Sequence, residues 1–380
     1  MESKACSACA KARRRCGKQI PHCLRCWTRG ISCHYPLSKP SSFVVLANNV
    51  PETFDFTPLL FDFQAPSLSF PLGDAQIETS WFTSPLTWMI DSAPPSLRSN
   101  QQRFTTTDLT RLLRKVVDWL TEWVEQGSSP FIHQQLYRHQ MPRCIQDAYM
   151  SLSAYLHKSV ASEHMLFRII EERVLSLVEE GVPSPGTSPQ SVDTLEYLGR
   201  VQALLIYQCI GLYDGNVRLR HLAEKHIPVL DMWMANLLQH ISQVPNCGSS
   251  LLAPPNNPIS LMSFTTPSET LLWYSWILTE SIRRTWLVIA GLHGIYKLIS
   301  HSTSTCMGGT MFTTRRGFWE APSAAVWEKR CTDTYAGMVR LTEVDKMLAL
   351  VPKEEICEFA RTVLSCTYGV EQVERWGIGE

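Results

Sequence analysis

Six cysteines between positions 6 and 33 fall as C-x2-C-x6-C twice over: Cys6, Cys9 and Cys16 recur at a constant offset of 17 residues as Cys23, Cys26 and Cys33. A C-x2-C pair can direct two thiolates at one zinc ion, and structural zinc takes four ligands in a tetrahedron. Six thiolates are too many for one ion and two short of the eight positions that separate ions would need, so two shared sulfurs would close the gap. The spacing therefore predicts a binuclear cluster of two Zn2+ ions in which each half supplies three sulfurs and two cysteines bridge. Pro21 can fix the turn between the halves, and His22 and His34 flank ligand positions without being required. A disulfide-stapled N-terminus is the alternative, but residues 1 to 20 carry a basic run and no apolar stretch of the kind an export signal needs.

Charge indicates what such a module would touch. The first 40 residues hold nine basic side chains against Glu2 alone, and the remainder holds 26 basic and 34 acidic residues, so the chain's net charge of zero conceals a polarised molecule. Two zinc ions and six thiolates together subtract about two charges, because the sites bind only deprotonated sulfur. A strongly basic knob is left, and that is the electrostatic footprint of a nucleic-acid-binding module.

The pattern ACSACAKARRRCGKQIPHCLRCWTRGISCHYP, with basic residues crowded before the third cysteine and a proline before the fourth, resembles the fungal Zn2Cys6 binuclear-cluster transcription factors over about the first 36 residues. That resemblance implies that Cys6 and Cys23 bridge the metals, that a short helix after Cys9 points into the major groove of double-stranded DNA, and that CGG-type triplets are read. The position three before the third cysteine is commonly a base-contacting lysine in the family; here it is Arg13, which can offer two donors to guanine O6 and N7. Lys11, Arg14, Arg15 and Lys18 are expected on phosphates, which position a protein without specifying sequence, and Arg25 joins the DNA-contacting set. Ala10 and Ala12 depart from the family, which often has arginine or lysine there.

From Ser41 to Leu97 there is no lysine or arginine, while Glu52, Asp55, Asp62, Asp74, Glu78 and Asp91 are present and seven prolines interrupt the stretch. No helix of coiled-coil length survives that punctuation, so the heptad dimerisation segment that many family members carry is missing; homodimerisation stays open. Residues 41–102 read as an acidic, Pro- and aromatic-rich linker. Within it TFDFTPLLFDF (Thr53 to Phe63) has the acidic-aromatic composition of activation segments that engage transcription machinery or a coactivator; docking on the chain's own helical body is the other reading.

Beyond position 102 the pattern turns helical. Leu109, Leu112, Leu113, Val116, Val117, Leu120 and Val124 recur at threes and fours before Gly127. Similar faces appear over Met165 to Glu180, Leu195 to Tyr213 and Arg220 to Ile241, the last expected to kink or divide at Pro228. Glu269 to Ser300 is strongly apolar, but Glu280, Arg283, Arg284, His293 and Lys297 leave it short of the roughly 20 apolar residues of a membrane span, and it reads as a core helix pair. ESIRRTW and the run from Cys306 to Cys331 resemble, more weakly, the helical regulatory region of fungal pathway-specific regulators of secondary-metabolite gene clusters. The expected fold is mostly α: a Zn2Cys6 module at 1–40, the linker at 41–102 and an all-helical regulatory region at 103–380.

Patterns for HExxH, GxSxG, P-loop or DDxxD chemistry are absent from the sequence. Glu171–Glu172 and Glu354–Glu355 are most simply solvated faces, and the seven cysteines beyond the repeat are scattered as buried thiols are. Arg283, Arg284, Arg315 and Arg316 are expected in interhelical salt bridges rather than on an anionic effector. The expected function is a nuclear, zinc-dependent, sequence-specific transcription regulator, an RNA polymerase II activator of a secondary-metabolite gene cluster, and not an enzyme. The alternative is an adaptor whose zinc module makes protein contacts without reading DNA.

Overall fold

The computed structural model describes residues 5–17, 23–29, 31–34, 80–91, 104–181, 193–243, 268–301 and 308–378. The chain divides into two compact units, Met1–Glu78 and Thr79–Glu380. Lys18, Pro21, His22 and the Thr53 to Phe63 segment lie outside the described residues.

The first unit contains two helices of one turn and a half, α1 (Ser7–Lys11) and α2 (Leu24–Thr28). Such helices are too short to hold themselves in water. Among the described residues their core consists of Cys6, Cys9, Cys23, Cys26 and Cys33, so what holds them there acts through sulfur.

The second unit opens with α3 (Ser80–Thr83) and a 3-10 turn (Pro85–Trp88), followed by α4 (Thr106–Gln126), α5 (Arg143–Leu156), α6 (Val160–Glu180), α7 (Thr194–Tyr213), α8 (Val217–Gln243) and α9 (Ser268–His301). A two-stranded ribbon, β1 (Met311–Thr313) and β2 (Met338–Arg340), brackets α10 (Ala324–Asp333), and α11 (Val344–Leu350), α12 (Glu358–Tyr368) and α13 (Val370–Arg375) follow. Helix α4 is placed by local chemistry: Thr105 and Asp108 form a reciprocal capping box at its start, and Gly127, in the left-handed conformation, closes its end. Its Leu112, Val116, Trp119, Leu120 and Trp123 face inward.

Helix α7 is apolar on every side and therefore sits in the middle; Val201 to Leu212 is buried without interruption. Helix α8 lies against it at close range, since a Cβ on Gly211 would come within 2.8 Å of Ala223 Cβ and the Leu219 carbonyl oxygen. Pro228 does not divide α8, which runs unbroken through it. The backbone bond that the proline forfeits is outweighed by packing along the whole of α7.

The expected helix pair at Glu269 to Ser300 is one helix of 34 residues, about 50 Å long at 1.5 Å per residue. Its buried Glu280 and Arg284 pair with each other. The Arg284 Nε donates to Glu280 Oε1 at 3.0 Å, and Glu280 in turn accepts from the Thr313 backbone N–H at 3.0 Å and its hydroxyl at 3.2 Å. Arg284 also donates to the Pro130 carbonyl at 2.8 Å and lies 4.0 Å from the Trp319 ring centre. This network pins α9 to β1, whose Phe312 pairs with Val339 in the antiparallel register. The ribbon departs from an all-helical region, and the Glu280–Arg284 pair is within one helix rather than between two.

Arg283 explains why Ser80–Asp91, which falls in the stretch expected to be linker, is folded. Its guanidinium donates to the Phe82 carbonyl at 2.7 Å and the Thr87 hydroxyl at 2.8 Å, and stacks 3.7 Å from the Trp88 ring centre. Arg340 adds an ion pair with Asp91 at 3.1 Å and a bond to the Leu86 carbonyl at 2.9 Å. The segment is part of the helical body.

Candidate metal centre

Each half of the cysteine repeat builds the same local structure. Cys6 and Cys23 occupy the N-cap positions of α1 and α2, in extended backbone, and their sulfurs accept the backbone N–H of Cys9 and of Cys26, both at 3.4 Å. This is the capping geometry usually made by a serine or aspartate oxygen. The third cysteine of each half lies outside the helices and returns to its start: the Cys6 N–H donates to Cys16 Sγ at 3.5 Å and the Cys23 N–H to Cys33 Sγ at 3.2 Å. The Ser7 N–H, donating to the His34 carbonyl at 2.8 Å, ties the halves together. Helix α1 thus begins before Cys9, which it contains, rather than after it.

The sulfurs converge. Cys6 Sγ lies 3.7 Å from Cys23 Sγ and 3.6 Å from Cys26 Sγ, and Cys9 Sγ lies 3.5 Å from Cys23 Sγ. Four thiolates around a zinc ion at 2.3 Å would stand roughly 3.8 Å apart, so these separations suit a shared cation and are far too long for disulfides, of which these six form none. Two groups of four, Cys6, Cys9, Cys16, Cys23 and Cys6, Cys23, Cys26, Cys33, each have all their sulfurs within 4.8 Å of one another. Cys6 and Cys23 are common to both. The donor set is soft, anionic and free of carboxylates, as zinc prefers. Among the described residues no histidine or acid completes either group; His34 is exposed, its ring 2.5 Å from the Ser32 hydroxyl.

Proton affinity shows why this cluster needs cations. Burial disfavours the thiolate at Cys6, Cys9, Cys23, Cys26 and Cys33; at Cys6 and Cys23 the donated backbone N–H and neighbouring thiols outweigh it, holding Cys6 below the ordinary range and Cys23 at about 6. Burial pushes Cys9 up to about 11 and Cys26 higher still, the neighbouring thiolates adding to the shift at Cys26. The two sulfurs common to both groups are thus held toward the thiolate, whereas Cys9, Cys26 and Cys33 are held toward the thiol and are drawn to join them by nearby positive charge.

Around this core the basic residues divide. Lys11, Arg13, Arg14 and Arg15 are exposed. Helix α1 ends because Arg13 takes a left-handed conformation, φ 50°, while the Arg14 N–H donates back to the Cys9 carbonyl at 3.0 Å. Such a conformation is unusual for a residue other than glycine and redirects the chain where the arginines cluster; nothing in the sequence signals it. Arg25 is different: it is half-buried, and its Nη1 donates to Cys9 Sγ at 3.7 Å, across the two halves.

The helical body presents no comparable centre among its described residues. Arg283 and Arg284 are sequestered, Arg315 pairs with Glu355, and Glu171 and Glu172 pair with Arg218 and Arg168. A cavity of about 70 Å3 between α4, α9 and α12, next to Trp119, Gly291 and Cys366, is mostly apolar. No helix among the described residues is long and apolar enough to cross a membrane.

Residues 4–42 match the family described as the fungal Zn(2)-Cys(6) binuclear cluster domain. The chain is also similar to transcription factor gsfR2 of Penicillium aethiopicum, at 25% identity over 407 residues that cover 98% of this chain and 94% of that protein. No solved structure matches. The resemblance seen in the cysteine spacing is borne out, and with it the two-zinc cofactor of the N-terminal module.

Proposed function

We propose that this protein is a nuclear, sequence-specific DNA-binding transcription regulator whose N-terminal module holds two zinc ions, and that it activates RNA polymerase II transcription of a fungal secondary-metabolite gene cluster. The observation that carries the reading is the pair of four-sulfur groups sharing Cys6 and Cys23 beneath a rim of exposed basic side chains. Similarity to a transcription factor along nearly the whole chain supports it, and sets the protein apart from enzymes.

In this reading Cys6, Cys9, Cys16 and Cys23 hold one ion and Cys6, Cys23, Cys26 and Cys33 the other. The metal supplies the cross-links that a five-residue helix cannot supply for itself. Arg13 reads guanine in a CGG-type triplet, and Lys11, Arg14, Arg15 and Lys18 neutralise phosphates. The domain plan keeps residues 1–40 for DNA and assigns the helical region to regulation, with Ser80–Asp91 counted in the body. The Thr53 to Phe63 segment is the proposed contact for a coactivator, and partner copies would set half-site spacing.

A gel-shift series on CGG-containing duplexes tests this. Arg13→Ala is expected to cost about 1–3 kcal/mol of discrimination against altered triplets, whereas Lys11→Ala should weaken all duplexes alike and reduce the salt slope by about 0.9. Zinc-loaded protein that binds no duplex, or binds unaffected by both changes, would transfer the module to the protein-contact reading.

A further inference from the structure

Superposing the two halves of the cysteine repeat by their 17-residue offset pairs every ligand with a ligand, but it pairs Arg25 with Ala8. Where one half places a half-buried methyl group against the sulfurs, the other places a guanidinium. That guanidinium does not turn outward with Lys11, Arg13, Arg14 and Arg15. It reaches across to Cys9, sixteen residues away, and donates from Nη1 to a sulfur that is itself fully buried.

We propose that Arg25 is a positioning residue of the metal cluster, clamping the Cys9 thiolate from the opposite half, and not one of the DNA contacts. The inference rests on the zinc reading above. Six thiolates and two divalent cations leave two negative charges in excess, in a module with almost no apolar core to bury. A fixed cation donating to one sulfur offsets part of that excess, and it shields that sulfur from chelators and electrophiles. Groups that hold a metal's ligands in this way commonly change metal affinity by about 10- to 100-fold when removed. Among the described residues the side chain that donates to a cluster sulfur is Arg25, on Cys9, so the two metal positions differ there: the one completed by Cys9 and Cys16 carries the clamp, and the one completed by Cys26 and Cys33 has no counterpart of it among those residues.

The test uses the full chain with wild type, Arg25→Gln and Arg25→Lys. Zinc release to an excess of a chromogenic chelator is expected to be about 10-fold faster in Arg25→Gln, with Arg25→Lys in between, since it restores the charge but not the planar donor. In the cadmium-113 spectrum of metal-exchanged protein, Arg25→Gln should move one of two resonances more than the other. The salt slope of duplex binding should be the same for the metal-loaded variants and wild type. If Arg25→Gln does not keep its metal through purification, Arg25→Lys alone carries the measurement, and release as slow as wild type would then overturn the clamp. Unchanged release in Arg25→Gln together with a salt slope lowered by about 0.9 would also overturn it, returning Arg25 to the DNA-contacting set. Wild-type protein that carries no zinc would instead defeat the cluster reading itself, an outcome separate from both.

Discussion

Among the described residues the core of the N-terminal unit is made of cysteines, whereas that of the second unit is a continuous body of tryptophan, leucine, isoleucine and phenylalanine in which the buried Glu280 and Arg284 pair with each other. The first is held by a few specific donors, so the loss of one should be felt everywhere in it. The second is held by many distributed contacts, and only its buried polar joints concentrate energy. The contrast teaches where each region is fragile: at any shared sulfur in the module, and at Glu280, Arg283 and Arg284 in the body.

The sharpest way to break this contrast is Cys23→Ser, which removes a sulfur common to both four-sulfur groups. Structural zinc contributes on the order of 10 kcal/mol to a module of this size. Loss of stoichiometric zinc and of duplex binding is therefore expected, while the thermal transition of the helical body stays where it was. In the body, Glu280→Ala leaves Arg284 buried beside Trp319 with its charge uncompensated, and should cost about 3–5 kcal/mol by denaturant unfolding with zinc content unchanged.

Acid probes the same body more gradually. His133 is buried against Trp319, and burial, with the nearby charge of Arg284, lowers its pKa to about 3 from an ordinary 6.5. Below pH 6.5 the unfolded chain takes up a proton there that the folded body refuses, so stability falls with falling pH until about 3. The slope from this one residue is about 1.4 kcal/mol per pH unit. His133→Phe is expected to flatten that part of the profile. The smallest effect belongs to the cap of α4: Thr105→Ala removes the hydroxyl that accepts the Asp108 backbone N–H and donates to its carboxylate, and should cost about 1 kcal/mol.

The two regions also differ in how far they can be read from sequence. The metal centre is legible because ligand chemistry ties spacing to geometry; C-x2-C with a third cysteine seven positions on can be satisfied in few ways. Helices α4, α6 and α7 are legible within a few residues because a buried face imposes its period. What stays hidden depends on partners distant in sequence. Ser80–Asp91 looks like linker because its anchor, Arg283, lies about two hundred residues away. The single helix α9 looks like two because it carries glycines and charges that only tertiary pairing explains, and strands of three residues are too short to show alternation. In the metal centre, the left-handed backbone of Arg13 and the turn of Arg25 toward sulfur are likewise set by neighbours, although the pairing of Arg25 with Ala8 was visible in the register of the repeat.

Metal analysis of the purified full chain bears most directly on the account. Zinc at two ions per chain is expected, with a chelator abolishing duplex binding while the helical content of the body and its melting are unchanged. Protein free of zinc, or protein that binds CGG-containing duplexes equally well after the metal has been stripped, would contradict it.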